Sequence, residues 1–188
     1  MDIQFDAKTT ALVLIDLQYA VVSRETAPYS ASKVIRKVRT LADSLRDHGV
    51  TVVFVHVKID EVLRLNVDQP MQRPAGGVPP NASELIPEIG LQSSDVVILK
   101  RQWGAFYGTG LDQQLRRRGI RTIIMAGIAT NIGVESTARA AFDRGYELIF
   151  AEDAMSSVSA EAHRFATTQI FPRMGRVRSS KEIAEGAK

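Results

Sequence analysis

The chain of 188 residues contains no cysteine. That excludes disulfides, thiolate metal sites, Cys-x-x-Cys redox chemistry and any cysteine nucleophile. Histidine is scarce as well, with only His48, His56 and His163. No His-x-His or His-Glu-x-x-His spacing occurs, and Asp60 four residues after His56 is a poor start for a ligand set, so no metal is expected. Long apolar runs are missing. The longest, Ala11 to Ile15 and Ile123 to Ile128, fall far short of the ~20 residues that span a bilayer. Met1 to Lys8 is polar and carries two acids, unlike a signal peptide. Charge of one sign is not in excess either: 24 Lys and Arg against 21 Asp and Glu leave +3, a weak attraction for nucleic acid or anionic membrane. The densest basic run, Arg116 to Arg118, falls at the end of an expected helix, where cations suit the negative pole. These absences predict a cytoplasmic protein whose partners are neither nucleic acid nor membrane.

What is present is the composition of a folded domain. Hydrophobic residues make up 45% and charged residues 24%, in a length that suits one domain, residues 1–188. Ala11-Leu-Val-Leu-Ile15 is an unbroken apolar run ending at Asp16, the pattern of a strand buried on both faces. Val34, Ile35, Val38, Leu41, Ala42 and Leu45 recur at steps of three and four. With Ser30 or Ser32 as N-cap and Gly49 past the end, they predict a helix. Thr51 to Val57, Val96 to Leu99, Arg121 to Ala126 and Glu147 to Ala151 read as strands, and Arg176 to Arg178 as a short sixth. Further helices are expected over Leu111 to Arg118, Asn131 to Arg144, Ser159 to Phe171 and Ser180 to Ala187, with a short one in Asn81 to Ile89. Residues 58–94 hold Pro70, Pro74, Gly76, Gly77, Pro79, Pro80 and Pro87, the residues that mark a functional or flexible loop. Strand and helix in turn, with no repeated unit, predict an α/β domain around a parallel sheet with helices on both faces.

Such sheets bind ligands beyond the carboxyl ends of their strands. That rule selects Asp16 after the first strand, Lys100 at the end of the third, and Gly127-Ile-Ala-Thr-Asn-Ile-Gly133 after the fourth. A carboxylate at a buried strand end loses water and has its pKa raised unless a cation adjoins it; Lys100 is the candidate cation. The pair reads either as a proton-transfer site or as an ion pair fastening two strand ends. The 127–133 segment joins strand to helix, where unpaired N–H groups collect oxyanions. It is not a phosphate loop, because neither Lys-Ser nor Lys-Thr follows Gly133. Leu17-Gln18-Tyr19 stands where a dinucleotide site would carry glycines. No cofactor is expected. Trp103, Phe106 and Tyr107 follow Lys100 closely and either stack on a flat substrate or belong to core or interface. His56 is the histidine best placed for the site edge; His48 precedes a helix-stopping glycine and His163 lies within a helix. Gln72 and Arg73 are loop candidates for binding a carboxylate.

Several blocks together resemble the isochorismatase-like hydrolase superfamily. They are Leu14-Ile-Asp16-Leu-Gln18, then Lys100 with Ala105-Phe106 and Thr109, then Gly127-Ile-Ala-Thr130 through Val134-Glu-Ser-Thr137-Ala138 and Ala141, then Gly145-Tyr146 and Asp153-Ala154. The resemblance implies a Rossmann-like three-layer αβα sandwich with a six-stranded parallel sheet. It also implies hydrolysis of a small-molecule substrate and a homo-oligomer, a dimer or tetramer. Most of the superfamily use an Asp–Lys–Cys triad. Asp16 matches the acid and Lys100 the lysine, but the nucleophile position is Gly133, so the acyl-enzyme of the cysteine hydrolases is not expected here. The acid and histidine that bind metal in nicotinamidases have no clear match around His56 to Asp60, and the common Ser before Ala-Phe is Gly104.

Some isochorismatases likewise carry glycine at the nucleophile position and hydrolyse a vinyl ether, which needs a proton delivered to carbon. Transferred to this chain, protonated Asp16 is the acid, Lys100 orients it and the substrate carboxylates, and water attacks the oxocarbenium-like carbon. Gly133 then leaves space where sulfur would have sat. The resemblance further implies a non-proline cis peptide between Ile128 and Ala129, with the N–H groups of Ala129 and Gly133 as donors. The residues expected to touch substrate are Gln18, Trp103, Phe106, Tyr107, Ile128, Ala129, Thr130 and Asn131. The alternative is a non-catalytic small-molecule binding or assembly protein that retains the fold without the thiol.

Overall fold

The computed structural model describes residues 3–70 and 76–188, so Gln72 and Arg73 lie outside the described residues. One sheet is built from β1 (Thr10–Ile15), β2 (Thr51–Val57), β3 (Val96–Lys100), β4 (Thr122–Ile128), β5 (Glu147–Ser156) and β6 (Gly175–Arg178). Every pairing is parallel and the order across the sheet is β3-β2-β1-β4-β5-β6. The helices are α1 (Tyr19–Val22), α2 (Ala31–Asp47), α3 (Leu111–Arg116), α4 (Glu135–Asp143), α5 (Ala160–Phe165) and α6 (Ser180–Glu185). Among the described residues, no helix is long and apolar enough to cross a membrane.

β1 and β4 fill the middle of the sheet and are buried at every residue, which is why their sequences run apolar without alternation. The chain steps outward from β1 to β3, crosses back to β4, and steps outward the other way. Right-handed connections therefore place the crossover helices on opposite faces. α2 turns Val34, Val38, Leu41, Ala42 and Leu45 into the core, and Ser30 caps it by accepting from the Lys33 N–H. α6 packs beside α2 and against β5. It opens with a reciprocal capping box between Ser179 and Glu182.

Departures from the sequence reading have local causes. β5 continues past Ala151 to Ser156 through a bulge: it advances five residues, Phe150 to Met155, where β4 advances two, Met125 to Gly127. The carboxylates Glu152 and Asp153 hide that continuation from a reading of apolar runs. The helix expected from Asn131 starts instead as a wide π-type turn, Thr130–Val134, before α4. The helix expected to reach Phe171 ends at Phe165 and is followed by π-type and 3-10 turns. Within Asn81 to Ile89 only the 3-10 turn Pro87–Ile89 forms, since Pro87 lacks an N–H and drives Ile86 out of helical geometry.

Strand order reverses between β1 and β4, the place where sheets of this kind open a crevice. There Ile15 is in register with Gly127. A Cβ on Gly127 would lie 2.2 Å from the Ile15 carbonyl oxygen and 2.6 Å from its nitrogen, and φ is +118°. Both the backbone approach and the dihedral therefore require glycine. Gly127→Ala is expected to destabilise the fold by about 3 kcal/mol or more; urea unfolding checks this, and a loss within experimental error would show that β1 and β4 can separate freely.

Candidate functional site

Asp16 is the first residue beyond β1. Its N–H continues the sheet ladder to the Val55 carbonyl at 2.8 Å, but its φ of +54° puts it in the left-handed region. An aspartate tolerates that conformation better than most residues, and such positions gather at functional sites. The side chain turns out of the strand's alternation toward Lys100, whose Nζ lies 2.8 Å from Asp16 Oδ2. The lysine side chain is wholly buried and that of the aspartate 10% exposed. Lys100 Nζ also donates to the Trp103 carbonyl at 2.6 Å, so the ammonium is fixed from two sides. Asp16 Oδ1 is buried with no hydrogen-bond partner.

These contacts set the carboxyl's acidity. Burial pushes Asp16 up, and the charge and hydrogen bond of Lys100, followed by the charge of His56, pull it back; the balance is a pKa of about 6. Burial prevails because one oxygen is uncompensated. The carboxyl is therefore able to hold a proton close to neutrality while lying next to a cation that stabilises the charge left when the proton leaves.

The turn Thr130–Val134 brings Gly133 against this pair. A Cβ at Gly133 would stand 3.0 Å from Asp16 Oδ2 and 3.2 Å from Lys100 Nζ. It would also meet Ile15 Cγ2 at 2.9 Å. The expectation of open space in place of sulfur is thus corrected: the Ile15 methyl packs close to Gly133, and even a Cβ needs a neighbour to move. The peptide bond between Ile128 and Ala129 is cis.

Asp16, Lys100 and Gly133 converge, while the residues expected around them divide. Trp103 and Tyr107 are 58% and 81% exposed. They stand on a loop braced by Gln102, whose Nε2 donates to the Gly104 and Tyr107 carbonyls. Phe106 is buried in the core, tilted against Tyr146 at 6.0 Å with Arg144 4.8 Å from the centre of its ring. Gln18 is fully buried. Its Nε2 donates to the Val57 and Ala82 carbonyls and its Oε1 accepts from the Val57 N–H, which ties the β1 exit to β2 and to the following loop. Ile128 is buried in β4, and Thr130 is fully buried with its hydroxyl 2.8 Å from His163 Nδ1. Ala129 and Asn131 are half-buried, and Asn131 Oδ1 accepts from the Ser157 hydroxyl at 2.5 Å.

His56 donates Nδ1–H to the Ser83 carbonyl at 2.6 Å. His48 ends α2, with Nδ1 2.9 Å from the Ser44 carbonyl. Among the described residues, no three His, Asp or Glu side chains are grouped to hold a metal ion. Two open clefts of about 660 and 740 Å³ border the turn or its support: one runs from Asn131 and Glu135 to Phe165, the other lies over Glu152 and His163. Neither is lined by Asp16 or Lys100, so the carboxyl–amine chemistry, not cleft size, identifies the candidate centre. The contact between Thr130 and His163 had no sequence signal, because the two belong to separate elements.

Known proteins share this arrangement of strands and blocks. A family model described as the isochorismatase domain matches residues 10–182. The uncharacterized isochorismatase family protein YwoC of Bacillus subtilis is 46% identical over 189 residues, covering 99% of this chain and 98% of its own. The structure of an isochorismatase family protein from Burkholderia thailandensis superposes with a TM-score of 0.92 at 42% identity, covering 99% of this chain and 98% of that one. The ureidoacrylate amidohydrolase RutB of Methylorubrum extorquens is 30% identical over 179 residues, covering 81% of this chain and 71% of its own.

The acidity of Asp16 has a consequence for stability. A carboxyl at about 6 in the folded chain and about 3.9 in the unfolded one holds its proton more tightly when folded. Its contribution is complete below about pH 4 and is lost as pH rises through 6. Urea unfolding of the wild type should therefore show stability falling by about 2–3 kcal/mol on this account between about pH 4 and pH 7, a fall absent from Asp16→Asn. An equal fall in the variant would assign the effect to another group.

Proposed function

The chain belongs to the isochorismatase family, and from that premise we propose that it hydrolyses a small metabolite by proton transfer from Asp16, without a covalent nucleophile. The observation that carries this reading is the buried carboxyl with a pKa of about 6, paired at 2.8 Å with Lys100 beside a residue that has no side chain. An amidohydrolase stands among the relatives, but attack by a thiol is not open to a chain without cysteine, and Gly133 offers no other nucleophile.

The chemistry that suits such a pair is vinyl-ether hydrolysis, as in an isochorismatase. Asp16 delivers its proton to the terminal alkene carbon, whose π electrons form the new C–H bond. The ether oxygen shares its lone pair with the adjacent carbon, giving an oxocarbenium-like centre. Water adds there and gives its proton back to the Asp16 carboxylate; the hemiketal then collapses, its hydroxyl proton passing to the leaving oxygen, to release an alcohol and a carbonyl product. Lys100, 2.8 Å away, stabilises the Asp16 carboxylate formed in the first step. A pKa of about 6 leaves about a tenth of the molecules protonated at neutral pH, a usable fraction for a general acid. Trp103 and Tyr107, held out on the loop that the lysine anchors, are placed to cover a flat or cyclic substrate.

Pyruvate release from isochorismate, followed by a panel of enol ethers, tests this directly. Asp16→Asn should lower turnover by about 10²–10⁴-fold; equal rates would remove Asp16 from the mechanism. Ligand-dependent melting with no turnover on any enol ether would instead favour a binding protein. Gly133→Ala adds a methyl that must displace Ile15 or the ion pair, so turnover should fall by about tenfold or more while the fold is kept. Unchanged turnover would show that the pair need not sit this close to the turn.

A further inference from the structure

A buried chain of polar side chains reaches the Gly133 turn through Thr130. His163 on α5 is 2% exposed, and both of its ring nitrogens are engaged. Nε2 lies 2.9 Å from Glu152 Oε1, and Nδ1 lies 2.8 Å from the Thr130 hydroxyl. Tyr29 donates its hydroxyl to both oxygens of Glu152, at 3.0 and 3.2 Å. The Tyr29 ring also stands edge-on to the imidazole, with centroids 5.9 Å apart and planes at 82°. The hydrogen bond from His163 is the largest influence on Glu152 and, with Tyr29, holds its carboxyl below the usual range against the effect of burial. An ionised Glu152 only accepts, so Nε2 carries the hydrogen. Nδ1 is then the nitrogen left to pair with the Thr130 hydroxyl, so every member of the chain has a partner.

The location gives this chain its meaning. Thr130 is fully buried. It follows the cis peptide and opens the wide turn whose fourth residue, Gly133, faces Asp16 and Lys100. At the turn's other end the Gly133 carbonyl accepts from the Thr137 hydroxyl at 2.7 Å, and that oxygen accepts from the Ala105 N–H at 3.1 Å. Two hydroxyls therefore pin a turn of irregular geometry. Apolar side chains of similar shape at 130 and 163 would fill the same space with less desolvation. What the polar chain adds is direction.

We propose that His163 is a positioning residue of the Asp16 centre: oriented by Glu152 and Tyr29, it holds the Thr130 hydroxyl and so sets how closely the turn presents Gly133 to Asp16 and Lys100. The proposal rests on the reading of Asp16 as the working acid.

The test uses the full chain with labelled aspartate carboxyls and follows the Asp16 titration by NMR in Thr130→Val, Thr130→Ser and His163→Asn. Ser180→Ala serves as a control that removes a hydroxyl from a different carboxylate, Asp153. A loosened turn admits water to Asp16, so the midpoint should fall by about half a pH unit or more in Thr130→Val and His163→Asn. It should stay at the wild-type value in Thr130→Ser and Ser180→Ala. With an enol-ether substrate, kcat should fall about tenfold in the first two variants with KM little changed. Wild-type midpoint and kcat in Thr130→Val would overturn the proposal, as would an equal displacement in Ser180→Ala. Should His163→Asn not fold, Thr130→Val decides alone. The midpoint is read without substrate, so it is independent of whether Asp16→Asn retains turnover, the result that would sink the acid role itself.

Discussion

A carboxylate and an ammonium meet at 2.8 Å inside the carboxyl edge of the sheet, and the arrangement around them follows from that contact. Taking two charges out of water costs several kcal/mol per ion, and mutual attraction offsets this only where hydrogen bonds complete the site. Lys100 is completed by the Trp103 carbonyl. Asp16 is not, since Oδ1 has no partner. The imbalance leaves the carboxyl the weaker half of the pair, ready to take a proton. A structural ion pair would have both oxygens bonded and an acid held low, as Asp153 is by Lys37 and Ser180 despite its burial.

Backbone devices that only a few residue types allow bring the pair together. Gly127 lets the end of β4 lie against Ile15, and Asp16 leaves β1 in a left-handed conformation that swings its carboxyl toward β3. Gln18 secures that exit with three hydrogen bonds to backbone. The topology supplies the rest: β3, which ends in Lys100, lies two strands from β1, which ends just before Asp16. Residues 84 positions apart in the chain, Asp16 and Lys100, thus share one edge.

Much of this was legible in the residues. Unbroken apolar runs gave β1, β2 and β4, the three-and-four spacing gave α2, and the rule of carboxyl strand ends selected Asp16, Lys100 and the Gly127–Gly133 segment together. What could not be read was which side chains near the site serve the scaffold. Gln18 and Phe106 lie one or two residues from groups that face the site, yet both point into the core, because side-chain direction is settled by packing partners distant in sequence. The bulge in β5 was hidden for the same reason: Glu152 and Asp153 look like a strand end until the partners Tyr29, His163 and Ser180 appear from elsewhere in the chain. The packing of Ile15 beside Gly133 depends on a tenth of a nanometre or so, below what any pattern of residue types conveys.

The central claim is that burial prevails over the neighbouring ammonium and keeps the Asp16 proton near neutrality. The most direct measurement is a carbon-13 NMR titration of the Asp16 carboxyl in the intact wild-type protein, assigned by its loss in Asp16→Asn. A midpoint near 6 is expected. A midpoint below about 4, at or under the ordinary aspartate value, would show an ion pair that fastens two strands and would contradict an acid at work.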